Sequence, residues 1–181
     1  MLRISWLTCG RIERWRTVIV ELYPWEYAWA CHVGIERFTA NWTKQDAMHY
    51  DRKRMEDDRT AQQAACLCEL AVAKAVNRFW SGHYWHKSEH DQFRKVADVG
   101  TNIEVRRVRS SRGAAVRRRQ LDQGLVLFAA EVVAPEFRSV DVWGWLTMET
   151  AWNNGEPSTY DPEGTRLVRR DYFQELINSD I

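Results

Sequence analysis

What the sequence lacks excludes several classes of protein. No apolar run approaches the length of a membrane-spanning helix, and Arg11, Glu13 and Arg14 interrupt the N-terminal segment before it forms the apolar core of a signal peptide. We therefore expect a soluble, cytoplasmic protein. The phosphate-binding patterns GxGxxG and GxxxxGK[S/T] are absent, and no Ser or Cys has an evident base, so nucleotide-dependent and acyl-transfer chemistry have no support.

Cysteine is scarce and does not show metal-binding spacing. The chain has four cysteines, at positions 9, 31, 66 and 68, and none forms a CxxC pair. Cys66 and Cys68 lie in a helical pattern that points their side chains apart, which favours reduced thiols over a disulfide. The cluster His83, His86 and His90 matches no standard closed zinc set and is a weak candidate for a structural metal.

The overall composition is that of one folded domain. The 181 residues are 45% hydrophobic and 28% charged, values typical of globular proteins, and we expect a single domain over residues 1–181. Ten tryptophans are many for this length. Most of them are explained by an aromatic-rich core, and some are expected at a surface groove or a partner interface.

Residues 106–119 contain seven arginines and no acidic residue, although the net charge of the whole chain is only +1. The arginines of this stretch present fixed donor forks that suit phosphate oxygens, so the pattern indicates a nucleic-acid-binding surface. The alternative is a solvated hairpin with exposed charge. The arginines are Arg106, Arg107, Arg109, Arg112, Arg117, Arg118 and Arg119.

Hydrophobic periodicity predicts an α+β fold, with a mixed β-sheet of about four to five strands flanked by helices. Residues 1–16 are expected to be a flexible or weakly docked arm, 43–59 a polar connector or mobile loop, and most of 153–181 loops. Strands are predicted at 17–22, 96–109 as a bent hairpin, 114–118 as its return strand, 125–133 as the central buried strand and 139–146 near the sheet edge. Helices are predicted at 25–42 and from 60 to Ser81-Gly82, with one helical turn at 147–152.

The bent hairpin places acidic and basic groups together. Alternation from Asn102 onward puts Ile103 and Val105 on one face of a strand, and Glu104 and Arg106 on the other. Gly100 suits a turn that carries Asp98 back toward Glu104. On the preceding helix, Glu69 lies at the edge of the apolar stripe, where a carboxylate needs a partner.

The order of a helix acid (Glu69), a hairpin Asp98 and then Glu104-x-Arg106 resembles the restriction-endonuclease-like PD-(D/E)XK nuclease superfamily. The resemblance covers residues 60–152 and, more weakly, 34–37, and it implies a restriction-endonuclease-like core at 60–152. Its segments are most similar to uncharacterised phage-encoded members. These segments are Glu69 to Lys74, Ala97 to Gly100, Ile103 to Arg106 and Val142 to Trp145.

The resemblance implies a divalent metal site. Asp98 and Glu104 would be metal ligands together with the backbone carbonyl of Val105, and their hard oxygens suit Mg²⁺ or Mn²⁺. Glu69 would hold the attacking water or assist a second metal. Arg106 stands where the family usually has lysine; arginine keeps a phosphate contact but does not give up its proton.

Three functions follow from these patterns. The first is a phage-encoded, metal-dependent phosphodiesterase acting on DNA, with Glu69, Asp98, Glu104 and Arg106 in its catalytic site and the arginines beyond Arg106 on the DNA backbone. The second is a catalytically inactive protein of the same fold that binds nucleic acid. The third is a phage interaction protein, such as an inhibitor of a host protein, which the tryptophan content and the charged segment 43–59 suggest.

Overall fold

Two β-sheets and three α-helices make up the part of the chain that the computed structural model describes, which is residues 2–5, 17–40, 58–84, 89, 96–109, 113–133 and 137–176. The strands are β1 (Leu2–Ser5), β2 (Thr17–Glu21), β3 (Ile103–Arg107), β4 (Ala114–Arg117), β5 (Val126–Val133), β6 (Ser139–Thr147), β7 (Glu156–Pro157) and β8 (Thr165–Val168). The helices are α1 (Pro24–Ala40), α2 (Asp58–Ala75) and α3 (Met148–Asn154), with 3₁₀ helices at Arg118–Gln123 and Arg170–Tyr172. The predicted α+β class is confirmed.

The larger sheet is mixed and has the strand order β1-β2-β6-β5-β3. All neighbouring strands are antiparallel except β3 and β5, which run parallel. Parallel neighbours need a crossover connection, and residues 108–125 supply it through β4 and the first 3₁₀ helix. The apolar run of β5 lies inside the sheet, as predicted, and β3 lies at its edge.

Strand β6 was predicted near the sheet edge, and this prediction is wrong because β6 lies between β2 and β5. Its side chains are buried on both faces of the sheet, with Val140 and Val142 in one core and Trp143 in the other. Asp141 is a buried acid on this strand. Arg170 neutralises that charge with two hydrogen bonds, of 2.6 and 2.9 Å, so an interior strand tolerates the carboxylate.

The N-terminal segment also differs from its prediction. No strand was predicted here, but residues 2–5 form β1, which pairs with β2 from Leu2 opposite Val20 to Ser5 opposite Thr17. Main-chain hydrogen bonds to an available strand edge do not require a regular side-chain pattern, and none was visible in the sequence. Residues 6–16 lie outside the described residues, as does most of the predicted connector 43–59.

Helices α1 and α2 pack against each other and cover one face of the larger sheet. A Cβ at Gly34 of α1 would lie 2.5 Å from the Cα of Gln63 on α2, so glycine permits the close approach of the two helices. The predicted second helix ends at Ala75 rather than at Ser81-Gly82, because Asn77 has a positive φ of 51°. No helix of the described part is both long and apolar enough to cross a membrane.

The other face carries the smaller sheet, of strand order β4-β8-β7, together with α3. The predicted return strand of the hairpin is therefore β4 in a different sheet, where it pairs with β8 along its whole length. The prediction of loops at the C-terminal end is wrong for residues 165–168, which form β8. The short helix predicted at 147–152 is confirmed, and the Thr147 side chain caps it by accepting a hydrogen bond from the Thr150 N–H.

Candidate functional site

A tight turn brings Asp98 back onto strand β3. Val99 and Ile103 exchange two backbone hydrogen bonds of 3.1 and 3.2 Å, and Gly100 between them has a φ of +57°. The predicted bend at Gly100 is confirmed. Oδ2 of Asp98 accepts the backbone N–H of Val105 at 2.8 Å, so the Asp98 carboxyl lies against the edge strand next to Glu104.

Glu69 is buried on α2 and has the partners that its position demanded. The Arg37 guanidinium binds both of its oxygens, at 2.5 and 2.8 Å, and the Trp80 indole donates a third hydrogen bond at 3.0 Å. Nε of Arg37 also donates to the carbonyl of His83 at 3.0 Å. Such a bidentate pair holds both side chains in one orientation, so Glu69 is fixed in place.

Glu104 belongs to a ring of three side chains on the opposite face of β3 from Ile103 and Val105. It forms an ion pair of 2.5 Å with Arg106 and accepts a hydrogen bond of 2.8 Å from the Gln120 amide. Arg106 in turn donates to the side-chain oxygen Oε1 of Gln120 at 2.8 Å and to the backbone carbonyl of Ala115 at 3.0 Å. The guanidinium therefore occupies the space beside Glu104.

One nitrogen of Arg106 lies next to both groups that the sequence predicts as metal ligands on β3. Nη1 is 2.5 Å from Oε1 of Glu104 and 3.5 Å from the carbonyl oxygen of Val105. Within the described residues, no group of three His, Cys, Asp or Glu side chains is arranged to hold a metal ion. The metal site stays a prediction, and it requires Arg106 to turn away from Glu104.

Asp98 is the acid whose charge is not balanced. Burial raises the pKa of its carboxyl well above the ordinary value, and the negative charges of Glu69 and Glu104 raise it further, while Arg106 and the Val105 N–H partly oppose this shift. Within the described part of the chain, no guanidinium or ammonium group forms an ion pair with Asp98. A cation placed here would favour the ionised carboxylate.

The pKa of His83 also depends on the acidic cluster, which consists of Glu69, Asp98 and Glu104. Burial and the nearby Arg37 charge lower the pKa of its imidazole, and Glu69 and Glu104 act against this shift. The ring nitrogen Nδ1 lies 2.5 Å from the hydroxyl oxygen of Ser81. The other histidines of the weak zinc candidate, His86 and His90, lie outside the described residues.

The predicted nucleic-acid-binding arginines divide into three groups. Arg117, Arg118 and Arg119 are exposed, Arg107 and Arg109 are partly buried, and Arg112 lies outside the described residues. Arg118 and Arg119 begin the 3₁₀ helix that also contains Gln120, whose amide contacts Glu104. The exposed basic segment therefore borders the acidic cluster.

The sequence did not identify the residues that complete the cluster, Trp80 and Gln120. Gln120 belongs to a segment without a periodic pattern, and Trp80 lies at the end of the predicted second helix, so the only signal was the rule that a buried carboxylate needs donors. Arg37 lay in the segment 34–37, to which the resemblance extends only weakly.

Comparison of the chain with protein-family models, with curated proteins and with solved structures gave no match in any of the three searches.

Proposed function

We propose that this chain is a metal-dependent phosphodiesterase that acts on DNA, with Asp98 and Glu104 as its metal-binding acids. The observation that carries this proposal is the position of the half-buried Asp98 carboxyl, which accepts the Val105 N–H beside Glu104 and has no ion-pair partner among the described residues. An acid held near other acids without a cationic partner is a candidate functional group.

The residues present fit a divalent cation. Carboxylate and carbonyl oxygens are the ligands that Mg²⁺ and Mn²⁺ prefer, and Asp98, Glu104 and the Val105 carbonyl supply them from one turn and one strand. When bound, such an ion stabilises charge on a phosphate group and lowers the pKa of a water molecule. The positive charge would also remove the repulsion that hinders ionisation of Asp98.

The remaining groups have roles that their contacts suggest. Glu69, which Arg37 and Trp80 hold in one orientation, would orient a water molecule in this proposal. Arg106 binds a phosphate oxygen once it leaves Glu104, but it does not act as a base because a guanidinium group stays protonated in proteins. The succession of helix acid, bent hairpin and acidic strand supports a restriction-endonuclease-like core as part of this proposal.

The test compares two neutralised aspartates. In Asp98→Asn the amide oxygen still accepts the Val105 N–H, whereas the charge is lost; Asp122→Asn removes an exposed carboxylate of the adjacent 3₁₀ helix and serves as the control. We expect DNA cleavage in Mg²⁺ or Mn²⁺ by the wild type and by Asp122→Asn, and none by Asp98→Asn. Absence of cleavage by the wild type, together with no metal binding in calorimetry, would refute the proposal.

A second candidate is a DNA-binding protein without cleavage activity, which the contacts of Arg106 favour. Its guanidinium is held by Glu104, Gln120 and the Ala115 carbonyl, so the position next to Glu104 is filled by a fixed cation. This candidate predicts DNA binding that weakens steeply with salt, persists in EDTA and is unchanged in Asp98→Asn. Cleavage that depends on Asp98 would exclude it.

A further inference from the structure

We propose that ring side chains exposed on α1 stack on the unpaired bases of single-stranded DNA and lead the strand to the acidic cluster. The surface consists of Trp25, Trp29 and His32, and we call it the ring stripe. This inference rests on the proposed function, because it names the class of substrate that the same site would receive.

The ring stripe follows helical spacing. Its residues are separated by four and then three positions, so their side chains lie in one row along α1. The row extends over roughly 10 Å, from the rise of about 1.5 Å per residue. The Trp25 side chain is 63% exposed and Trp29 is 41% exposed, while His32 is also exposed. Large rings exposed next to one another indicate a binding surface rather than a core.

Trp80 connects the ring stripe to the acidic cluster. Its ring packs edge-on against Trp29, with the ring centroids 5.0 Å apart, and its indole nitrogen donates to Glu69 at 3.0 Å. Trp80 also pairs with Val99, the residue after Asp98. A base resting on Trp29 would therefore be separated from Glu69 by a single side chain, which places the neighbouring phosphates near the site.

The surroundings of Trp80 combine rings with positive charge. Arg78 and Phe79 are both exposed, Phe79 to 75%, and the Phe79 carbonyl accepts the Gly100 N–H of the hairpin turn at 2.9 Å. The one acid in the first turn of α1, Glu26, is buried and paired with Lys74 at 2.6 Å. Rings interspersed with cations are the arrangement by which proteins bind single strands without sequence preference.

Base pairing decides between a single strand and a duplex. In a duplex the base faces are covered by stacking on each other, so the ring stripe would meet only the sugar-phosphate exterior. An unpaired strand presents its base faces to Trp25 and Trp29 and its phosphates to the arginines.

The experiment measures binding in EDTA, where metal-dependent cleavage does not occur. Fluorescence anisotropy of a labelled oligothymidylate is compared with that of a duplex and of an oligouridylate of the same length. We expect Trp29→Leu to bind the oligothymidylate about 5- to 140-fold more weakly, the range for loss of one base–aromatic stack. Trp29→Phe retains a ring and should bind nearly as the wild type does, and the duplex should bind more weakly than the single strand.

The controls separate stacking from folding. Trp25→Leu removes the most exposed ring of the stripe and should weaken binding without disturbing the core. Tyr172→Leu removes an exposed ring on the second 3₁₀ helix, next to Arg169, and should leave the affinity unchanged. Circular dichroism verifies that each variant is folded.

Four results would overturn the inference: wild-type affinity in both Trp→Leu variants, equal binding of duplex and single strand, tighter binding of the oligouridylate, or no binding of oligothymidylate at low salt. The proposed function fails separately. Trp29-dependent binding without any metal-dependent cleavage would refute the enzyme and leave the stacking surface intact, whereas cleavage by a protein that lacks Trp29-dependent binding would refute only the stacking surface.

Discussion

Neutralising Glu69 and neutralising Asp98 should change the stability of the protein in opposite directions. In Glu69→Gln the guanidinium of Arg37 loses the carboxylate that binds it twice, in a place where the Arg37 side chain is only 14% exposed and that of Glu69 only 6%. Removing one partner of a buried ion pair costs about 3 to 5 kcal/mol. At about 2 to 4 °C per kcal/mol for a chain of this length, the unfolding temperature should fall by roughly 6 to 20 °C.

Asp98→Asn removes a carboxyl whose ionisation the fold already opposes, and the asparagine oxygen keeps the hydrogen bond from the Val105 N–H. We expect an unfolding temperature equal to or above that of the wild type. The assay is thermal unfolding followed by circular dichroism near pH 7, without added metal. The double variant Glu69→Leu with Arg37→Leu is the matched control, because replacing both members of a buried pair by apolar residues is often neutral.

The reasoning fails if Glu69→Gln unfolds within about 2 °C of the wild type, which at the cited sensitivity corresponds to about 1 kcal/mol or less. It also fails if Asp98→Asn is destabilised as much as Glu69→Gln. The first result would mean that the Arg37 pair is not formed in solution, and the second that Asp98 is a structural carboxylate. Either outcome removes the contrast on which the proposed site depends.

Three further predictions follow from the same contacts. The pKa of Asp98 is raised above its ordinary value of 3.8 in the folded state, so the contribution of Asp98 to stability should fall as pH rises above that value. The difference in unfolding free energy between the wild type and Asp98→Asn, measured in denaturant titrations, should therefore change with pH. A constant difference between about pH 4 and pH 8 would contradict this prediction. In Arg106→Lys the lysine cannot make the contacts to Gln120, Ala115 and Glu104 together, so the substitution should cost about 1 kcal/mol of stability. It should also raise the affinity for Mg²⁺ measured by calorimetry. An unchanged affinity would show that Arg106 does not compete with the ion. Gly34→Ala places a methyl group 2.5 Å from the Cα of Gln63 and should destabilise the protein by about 1 to 3 kcal/mol in urea titrations, whereas unaltered stability would mean that α1 and α2 are packed less closely.

The local features of the site were accessible from the sequence because they depend on short-range geometry. A period of two fixes which side chains share a face of β3, so Ile103 and Val105 were correctly separated from Glu104 and Arg106. The turn at Gly100 follows from a conformation that glycine adopts at no steric cost. Neither feature depends on distant parts of the chain.

The features that sequence reasoning missed all depend on distant pairing. The interior position of β6 rests on Arg170, which lies 29 residues beyond the Asp141 that it neutralises. The partner of Glu69 is 32 residues away on α1, and Gln120 is 16 residues from Glu104. Hydrophobic periodicity does not contain such information, since the partner of a buried charge is determined by the packing of whole elements.

The charges of the cluster explain why Arg106 decides the function. Two guanidinium groups, of Arg37 and Arg106, neutralise Glu69 and Glu104, whereas burial and the charges of these two acids raise the pKa of the third acid, Asp98. The Nε, Nη1 and Nη2 groups of Arg106 already contact Ala115, Glu104 and Gln120, so Arg106 must give up some of these contacts to bind a phosphate oxygen. A phosphate that attracts Arg106 and a cation that replaces it at Glu104 therefore favour the same displacement, and each should assist the binding of the other. The affinity of Arg106→Lys for Mg²⁺ measures how much of that displacement the wild type must supply.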